Sequence, residues 1–311
     1  MKYAILSDIH GNLPAIKAAL ADAESQGADK YLLLGDYTNS FPWGNGVSDV
    51  IRGLKNAVVI RGNGEGYIAD LLNKDQAECV YEQFKPVYWA YHSLSRENRE
   101  YMTTLPEHAA VTDNGVSIWL SHSMDLFYRK PKIMLLNSSS FRAIMEAEPF
   151  THSEYLIRAR DALLSSPEAV KDMDALPKGV YLFGHNHLQF HMEYDGKLFI
   201  NPGSCGEALD WDATAAYTLL DCEGGIRTVT ERRVKYDLLA TAEGLYNSGY
   251  TTYAPEWSEV IRLELMSGKD YFYSFVMHLM ETGRQMNRNE YPVGNDVWDA
   301  AVKTWSSGKL Y

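Results

Sequence analysis

Six short apolar runs, each followed at once by a polar turn, constrain the fold of this 311-residue chain more than any other feature. Stretches with helical spacing follow several of them, as in Leu13, Ile16 and Leu20. Short apolar strands that alternate with helices predict an α/β layered architecture with much parallel pairing near its start. In such sheets the turns gather along one edge, where ligands usually bind. The turns are, in order, "SDIHGN", "GDY", "RGNGE", "SHS", "GHNH" and "NPGS".

The turns carry seven side chains suited to metal binding, all of them nitrogen or oxygen donors. Such a mixed set suits borderline divalent ions, namely Mn²⁺, Fe²⁺, Zn²⁺, Co²⁺ or Ni²⁺, rather than a thiophilic site. Seven donors exceed the needs of one tetrahedral ion but would serve two ions if one carboxylate bridged them, and two such ions can clamp a phosphoryl group. The seven are Asp8, His10, Asp36, Asn63, His122, His185 and His187.

Each motif taken alone also has an ordinary structural explanation. Asp8 and His10 could cap a helix or satisfy a turn, and "GD" and "NPGS" are common turn signals. The pair of histidines in "GHNH" is more informative, because paired imidazoles at a strand end have few structural uses. The recurrence of these motifs at the ends of successive strands favours a metal site.

The acidic composition restricts the partners of the chain. Lys and Arg total 29 against 41 Asp and Glu, which gives a formal net charge of -12. Because a field of this sign repels a long polyanion, we expect no long nucleic acid partner. Small phosphorylated molecules remain compatible, since a local cationic site can override the global field.

Cysteine usage and hydropathy predict a cytoplasmic setting. The three cysteines form no C-x-x-C pair, so neither a disulfide framework nor a thiolate zinc site is indicated. The apolar run at the N-terminus is interrupted by Asp8 and His10, and no run approaches the ~18 residues of a membrane span. We therefore expect neither a signal peptide nor a membrane segment.

The composition changes at about Arg232, where the strand-and-turn motifs cease. Helical spacing predicts a helix from Pro255 to Leu265 that Gly268 could end, and a second helix that contains Phe272, Phe275 and Leu279. We therefore divide the chain into a domain of residues 1–235 and a helical extension of residues 236–311. Aromatic residues that we expect to be exposed would suit either a lid or a dimer arm, with a possible homo-oligomer. They are Trp257, Tyr271 and Tyr273.

The ordered set of motifs resembles the calcineurin-like metallophosphoesterase superfamily. Within it, "WAYHSLSRENREYMTTLPE" and "INPGSCGEALDWDATAAYTLLD" are similar to the compact bacterial and archaeal phosphodiesterases. The likeness covers about residues 1–235. It implies a β-sandwich flanked by helices, with a dimetal centre at the strand ends.

The resemblance also implies a division of the seven side chains. Asp8, His10 and His187 would bind the first metal, and Asp36 would bridge to the second. Attack on phosphorus by a metal-bridging hydroxide is the implied reaction, with His10, Asp36, Asn63 and His122 in the catalytic set. The second metal would be completed by Asn63, His122 and His185.

Two departures from the family pattern bear on the substrate. Many members read G-N-H-D or G-N-H-E where this chain reads Gly62-Asn63-Gly64-Glu65, so a histidine that contacts phosphate and helps the leaving group is absent. Because general acid help typically contributes about 10²–10⁴-fold, we expect diesters or phosphoanhydrides to be preferred over alkyl monoesters. The chain also lacks the Asp-Arg-Gly stretch of protein phosphatases, which argues against a phosphoprotein substrate.

Other residues are candidates for contacts with a small phosphorylated substrate. Phe41 and Trp43 could stack on a nucleobase, although packing is the more usual role of such residues. The substrate-binding candidates are Asn12, Arg61, Gly64 and Arg129, of which the arginines could instead belong to solvated loops.

Three other functions are alternatives to a dimetal phosphodiesterase. A broad phosphomonoesterase would use the same ligands, whereas a non-catalytic scaffold on this fold would be expected to lose some of them. A serine hydrolase built on Ser204 would lack a G-x-S-x-G elbow and leave the other motifs unexplained.

Overall fold

Two five-stranded mixed sheets form the centre of the computed structural model, which describes residues 1–124, 152–223 and 226–305. In the first sheet β1, β2 and β3 are parallel, β9 pairs antiparallel with β1, and β10 pairs antiparallel with β9, which gives the order β10-β9-β1-β2-β3. The strands are β1 Lys2–Leu6, β2 Lys30–Leu33, β3 Ala57–Val59, β9 Ala215–Glu223 and β10 Ile226–Val234.

The second sheet has a parallel centre between antiparallel edges, in the order β4-β5-β6-β8-β7. β5, β6 and β8 run parallel, while β4 and β7 pair antiparallel with β5 and β8. The strands are β4 His108–Asp113, β5 Val116–Ser121, β6 Gly179–Leu182, β7 Gln189–Tyr194 and β8 Lys197–Pro202.

Apolar side chains from both sheets meet in one core and so form a β-sandwich. Tyr3 and Ile5 of β1 pack in this core with residues of β5 and β6, whereas Ala4 and Leu6 point the other way, into the core under the flanking helices. Because successive side chains of a strand alternate between faces, burial of both faces explains the uninterrupted apolar run of β1. The predicted α/β sandwich flanked by helices is confirmed.

Helices cover the outer face of each sheet. α1, α2 and α5 pack with the first sheet, and α6 and α7 pack with the second. None of the helices within the described ranges is both long enough and apolar enough to cross a membrane. They are α1 Leu13–Ser25, α2 Gly44–Gly53, α3 Asn63–Leu71, α4 Lys85–Ser93, α5 Arg96–Thr104, α6 His152–Leu164 and α7 Pro167–Ala175.

The predicted C-terminal helices are present. α10 begins at Pro255 and ends at Ser267, where Gly268 adopts the left-handed conformation with φ 68°. Phe275 and Leu279 lie on the buried face of α11. The described helices of this extension are α8 Leu238–Tyr246, α9 Gly249–Tyr253, α10 Pro255–Ser267, α11 Tyr271–Gln285 and α12 Asn295–Thr304.

The extension packs on the first domain through aromatic residues. Trp257 and Tyr271, which the sequence led us to expect at the surface, are only 2% and 8% exposed, because they share an apolar core with Phe41. Trp43 packs against the same core, and Trp257 Nε1 donates a hydrogen bond to the carbonyl of Glu82 at 3.1 Å. Phe41 therefore packs in the interior instead of stacking on a ligand.

A cluster of hydrogen bonds ties α1 to β9 and β10. The Asp22 carboxylate accepts two bonds from the guanidinium of Arg232, at 2.9 and 3.0 Å, and one from the Tyr217 hydroxyl at 2.6 Å. Arg232 lowers the pKa of Asp22, and Tyr217 adds to this effect against the opposing effect of burial.

We expect Asp22→Asn to lower the free energy of unfolding by about 1–2 kcal/mol at pH 7, a charge-assisted contribution reduced by partial exposure. A carboxyl group whose pKa is lowered by folding stabilises the folded protein at pH values above the pKa of the unfolded state. This contribution is lost as the pH falls through the pKa of the folded state. Urea unfolding of both proteins should therefore show a difference that shrinks below about pH 4. A difference that stayed constant from pH 7 to pH 3 would contradict the assigned charge effect.

Candidate metal centre

The turns after five strands of the two sheets meet at one end of the sandwich. The turns after β1 and β2 are joined by a hydrogen bond from the Asp8 amide to the Gly35 carbonyl at 3.0 Å, and those after β5 and β6 by one from Gly184 to His122 at 2.8 Å. The parallel pairing of β1 with β2 and β3, and of β5 with β6, places all these turns at carboxyl ends. The structure thereby brings together the seven predicted metal ligands.

Asp8, His10 and His187 form the first group that could hold a metal ion. His10 Nε2 lies 3.1 Å from His187 Nε2, and Asp8 Oδ1 lies 3.9 and 3.5 Å from these two nitrogens. All three side chains are buried or nearly so. Two imidazole nitrogens and a carboxylate oxygen that converge in this way are donors that fit a borderline divalent ion.

Asp36, His122 and His185 form a second group, and Asn63 joins it. His122 Nε2 lies 3.4 Å from Asp36 Oδ2 and 3.0 Å from Asn63 Oδ1, while the rings of His122 and His185 are 5.1 Å apart. The seven predicted ligands therefore fall into the two predicted sets. Their binding of metal stays a prediction that these positions support.

The carboxylate of Asp36 lies between the two groups. Its Oδ1 accepts a hydrogen bond from the Gly64 amide at 2.7 Å. Its Oδ2 lies 3.8 Å from His10 Nε2 of the first group and 3.4 Å from His122 Nε2 of the second. Since the Gly64 amide occupies one oxygen, the other is the atom that would bridge two ions if both groups held one.

Backbone carbonyls orient two of the histidines. His187 Nδ1 lies 2.6 Å from the Glu207 carbonyl, and His122 Nδ1 lies 2.8 Å from the Leu34 carbonyl. A carbonyl oxygen only accepts, so each Nδ1 carries the hydrogen and donates it. In the neutral imidazole this leaves the Nε2 lone pair as the metal-binding atom.

The electrostatics of the site favour cations. Burial lowers the pKa of His122, but Asp36 and Asp8 outweigh it and raise the pKa to about 10. Burial raises the pKa of Asp36, but His122 and His10 outweigh burial, so the pKa of Asp36 is lowered. For Asp8 burial prevails, and its pKa is raised. Clustered carboxylates that stabilise an imidazolium would stabilise divalent ions in the same way.

Five of the seven ligand residues have a positive φ, a conformation that disfavours residues other than glycine. Their φ angles lie between 51° and 73°. A left-handed conformation costs roughly 1–2 kcal/mol per residue, and such strain clusters at functional sites. The surrounding packing must therefore hold these turns in place. The five are Asp8, His10, Asp36, His185 and His187.

Glu65 is a positioning residue that the sequence analysis missed. It is fully buried, and its carboxylate accepts hydrogen bonds from the amides of Asp36, Tyr37 and Gly62 at 2.8 to 2.9 Å. The turns that carry Asp36 and Asn63 are thus joined through one side chain. Its place as the third residue of a helix after a glycine turn is a capping signal that could have revealed it.

The predicted substrate contacts do not all lie at the candidate metal centre. Asn12 is fully buried, where its Oδ1 accepts from the Ala15 amide and its Nδ2 donates to Gly206 and Tyr236, so it caps α1 and joins the extension instead of facing a substrate. Gly64 does lie at the site, with its amide on Asp36.

The two arginine candidates receive no support as ligands of phosphate. The guanidinium of Arg61 turns to the carboxylate of Glu107 and to the Thr103 carbonyl, which corrects the expectation that it faces the substrate. A carboxylate partner neutralises the charge that a phosphate contact would need. Arg129 lies outside the described residues.

An exposed tyrosine lies beside the second group, and a tyrosine of the C-terminal region acts on its pKa. Tyr67 lies one helical turn after Asn63 on α3 and is 51% exposed. Its hydrogen bond with Asn63 lowers its pKa. That pKa is raised by burial and, to a smaller extent, by the charges of Asp36 and Tyr291. Tyr291, from the helical extension, is 74% exposed.

Known proteins share this architecture. A metallophosphoesterase from Sphaerobacter thermophilus matches 86% of this chain and 99% of its own, with 21% identity and a TM-score of 0.58. A hypothetical protein from Pyrococcus horikoshii matches 84% of this chain and 97% of its own, with 20% identity and a TM-score of 0.55. At these identities the likeness shows the fold alone.

Sequence comparison gives the family. An uncharacterized protein of Methanocaldococcus jannaschii is 24% identical over 273 residues, which are 82% of this chain and 94% of that protein. Residues 1–225 match the calcineurin-like phosphoesterase superfamily domain. The chain belongs to the calcineurin-like phosphoesterase superfamily.

Proposed function

We propose that this protein is a metal-dependent phosphoesterase that hydrolyses small phosphodiester, nucleotide or phosphoanhydride substrates. The observation that carries the proposal is the position of Asp36 Oδ2, which lies within 3.8 Å of a ligand nitrogen from each group. Membership of the superfamily supports hydrolysis of a phosphoric ester bond. The nitrogen and oxygen donors fit two ions of Mn, Fe, Zn, Ni or Co.

Each candidate ligand would have a separate role in such a reaction. Two ions held here would polarise the phosphoryl oxygens and lower the pKa of a water molecule between them. Asp36 would fix the position shared by both sites, because its Oδ2 faces both groups. His10 and His122 would hold their sites through Nε2, and the carboxamide of Asn63 would complete the second. These fixed donors cost no reorganisation during the reaction.

Glycine at position 64 supports a preference for good leaving groups. Gly64 has no side chain that could give a proton to a departing oxygen. Aryl diesters and phosphoanhydrides need that proton least, whereas alkyl monoesters need it most. The exposed ring of Tyr67, which is hydrogen-bonded to Asn63, adds support for substrates with an aromatic group, such as nucleotides.

The size of the substrate follows from charge. A formal net charge of -12 opposes the approach of long polyanions, so we propose small substrates and no long nucleic acid. The helical extension is proposed to form a wall of the site, since it packs on Phe41 and its Tyr291 acts on the pKa of Tyr67. Homo-oligomer formation through these helices and a cytoplasmic location stay predictions.

A metal add-back assay tests the proposed function. The protein would be stripped of metal and supplied separately with Mn²⁺, Ni²⁺, Zn²⁺ or Mg²⁺, and hydrolysis of an aryl phosphodiester, its aryl monoester and an alkyl monoester would be compared. We expect metal-dependent turnover that is at least about 10²-fold faster for the aryl diester than for the alkyl monoester, the lower end of general acid effects. Bound metal at two ions per chain without turnover of any ester would contradict the proposal and favour a scaffold. Equal rates on aryl diesters and alkyl monoesters would contradict the substrate class alone.

A further inference from the structure

We propose that the carboxamide of Asn39 is a substrate-binding group that donates a hydrogen bond to a nonbridging phosphoryl oxygen. This inference rests on the proposed function and adds to it a specific contact for the phosphoryl group. None of the sequence motifs pointed to Asn39, and its role follows from what surrounds Gly64.

The position of Asn39 is fixed by its distance to Gly64. A Cβ atom built on Gly64 would lie 2.5 Å from Asn39 Nδ2 and 3.1 Å from Asp36 Oδ1. The carboxamide and the bridging carboxylate therefore border the same point. Because Gly64 follows the ligand Asn63, the amide of Asn39 fills the space that a side chain at position 64 would otherwise take beside the metal centre.

The orientation of the amide places a donor on the side of the metal centre. Asn39 Oδ1 accepts a hydrogen bond from the Thr38 hydroxyl at 3.3 Å, and Thr38 is fully buried. This bond distinguishes the oxygen from the nitrogen of the amide, and it leaves Nδ2 as the end that approaches Gly64. Asn39 itself is only half-buried, so a ligand can reach it.

The backbone holds this orientation. Hydrogen bonds from Gly11 to the Tyr37 carbonyl at 2.8 Å, and from Phe41 to the His10 carbonyl at 2.7 Å, fasten both sides of Asn39 to the turn after β1. Asn39 has a φ of 98°, a strained value for a residue with a side chain. Because asparagine tolerates positive φ better than most residues, this φ does not by itself indicate a function. The position of the amide beside Gly64 is what indicates a role in binding.

The chemistry of an amide defines what Asn39 would do. Its N–H groups donate to an anionic oxygen, but an amide has no proton to give near neutral pH. Asn39 would therefore bind the phosphoryl group and stabilise its charge without helping the leaving group to depart. This matches the preference for acidic leaving groups that Gly64 indicates.

Asn39→Gly tests the contact without adding backbone strain, because glycine accepts a φ of 98° freely. The probe is inorganic phosphate, titrated calorimetrically into protein loaded with two Mn²⁺ ions, with Mn²⁺ affinity measured separately. We expect phosphate affinity to fall about 10–100-fold, as for loss of a hydrogen bond to a charged group, with Mn²⁺ affinity unchanged within about 3-fold. Asn39→Asp should weaken phosphate binding further, because a carboxylate repels the anion.

Asn56→Gly is the matched control. Asn56 has a φ of 58°, is exposed and precedes β3, at the strand end opposite the metal ligands, so its replacement should leave phosphate affinity unchanged. Unchanged phosphate affinity in Asn39→Gly would overturn the inference. An equal loss of Mn²⁺ and phosphate affinity would also overturn it, since Asn39 would then act only through the ligand turns. Phosphate binding by a wild-type protein that hydrolyses no ester would refute the proposed function while leaving the Asn39 contact measurable.

Discussion

Asp36→Asn is expected to lower kcat/KM for an aryl phosphodiester by about 10³-fold or more and to remove tight binding of at least one of two ions. The Asn oxygen can still accept the Gly64 amide hydrogen that Asp36 Oδ1 accepts at 2.7 Å. Its NH₂ group would then replace Oδ2, which faces both His10 Nε2 and His122 Nε2. A donor with no negative charge would thus stand where two cations need a shared carboxylate. Steady-state kinetics and metal stoichiometry after dialysis measure the two effects.

Asp237→Asn provides the matched control for this substitution. Asp237 caps α8 by accepting the Ala240 amide hydrogen at 2.9 Å, and asparagine serves equally well as a helix cap. The same charge is removed with the same change of shape, so activity and metal content should stay at wild-type values. Retention of two ions and of wild-type turnover in Asp36→Asn would show that Asp36 does not bridge a catalytic dimetal centre.

The metal-ligand candidates were predictable from the sequence because each of them follows directly or closely after an apolar strand. A strand buried on both faces must be apolar, so the first polar residue after it marks the strand end. The carboxyl ends of parallel strands meet, which makes Asp8 after β1 and Asp36 after β2 neighbours although they are 28 positions apart. The same reasoning extends to His122 and His187 in the second sheet. The residue types, read in order, also carried the resemblance to the superfamily.

The wrong expectations from the sequence concern residues whose contacts lie far away along the chain. The sequence suggests Asn12 as a substrate contact, yet its amide donates a hydrogen bond to Tyr236, which lies 224 positions away. Trp257 was expected at the surface, but it packs in a core that contains Phe41 from a distant turn. In both cases the deciding neighbour follows from the three-dimensional packing of the extension, for which no local pattern in the sequence gives a signal. The positive φ of His185 is likewise imposed by packing, since nothing in the residue type requires it.

Glu65→Gln is expected to lower the free energy of unfolding of the metal-free protein by about 2–3 kcal/mol and to weaken metal binding about 10–100-fold. Glu65 is fully buried, with Oε2 accepting from the amides of Asp36 and Gly62 and Oε1 accepting from Tyr37. A glutamine has one accepting oxygen, so its NH₂ group must face at least one backbone N–H. The resulting repulsion would displace the turn of Asp36 or the turn of Asn63, and both carry predicted metal ligands. Urea unfolding and Mn²⁺ calorimetry measure the two losses.

Glu264→Gln separates the loss of a buried carboxylate from the loss of a metal-site support. Glu264 is 2% exposed, and its Oε1 accepts the amides of Tyr271 and Phe272 at 2.9 and 2.7 Å in the helical extension. A glutamine oxygen can keep both of these bonds, so we expect a smaller loss of stability and no change in Mn²⁺ affinity. If Glu65→Gln also kept wild-type Mn²⁺ affinity, the turns of Asp36 and Asn63 would be held in place by their other backbone contacts and not by Glu65. A loss of affinity confined to Glu65→Gln would instead identify this carboxylate as the support that fixes the distance between Asp36 and Asn63.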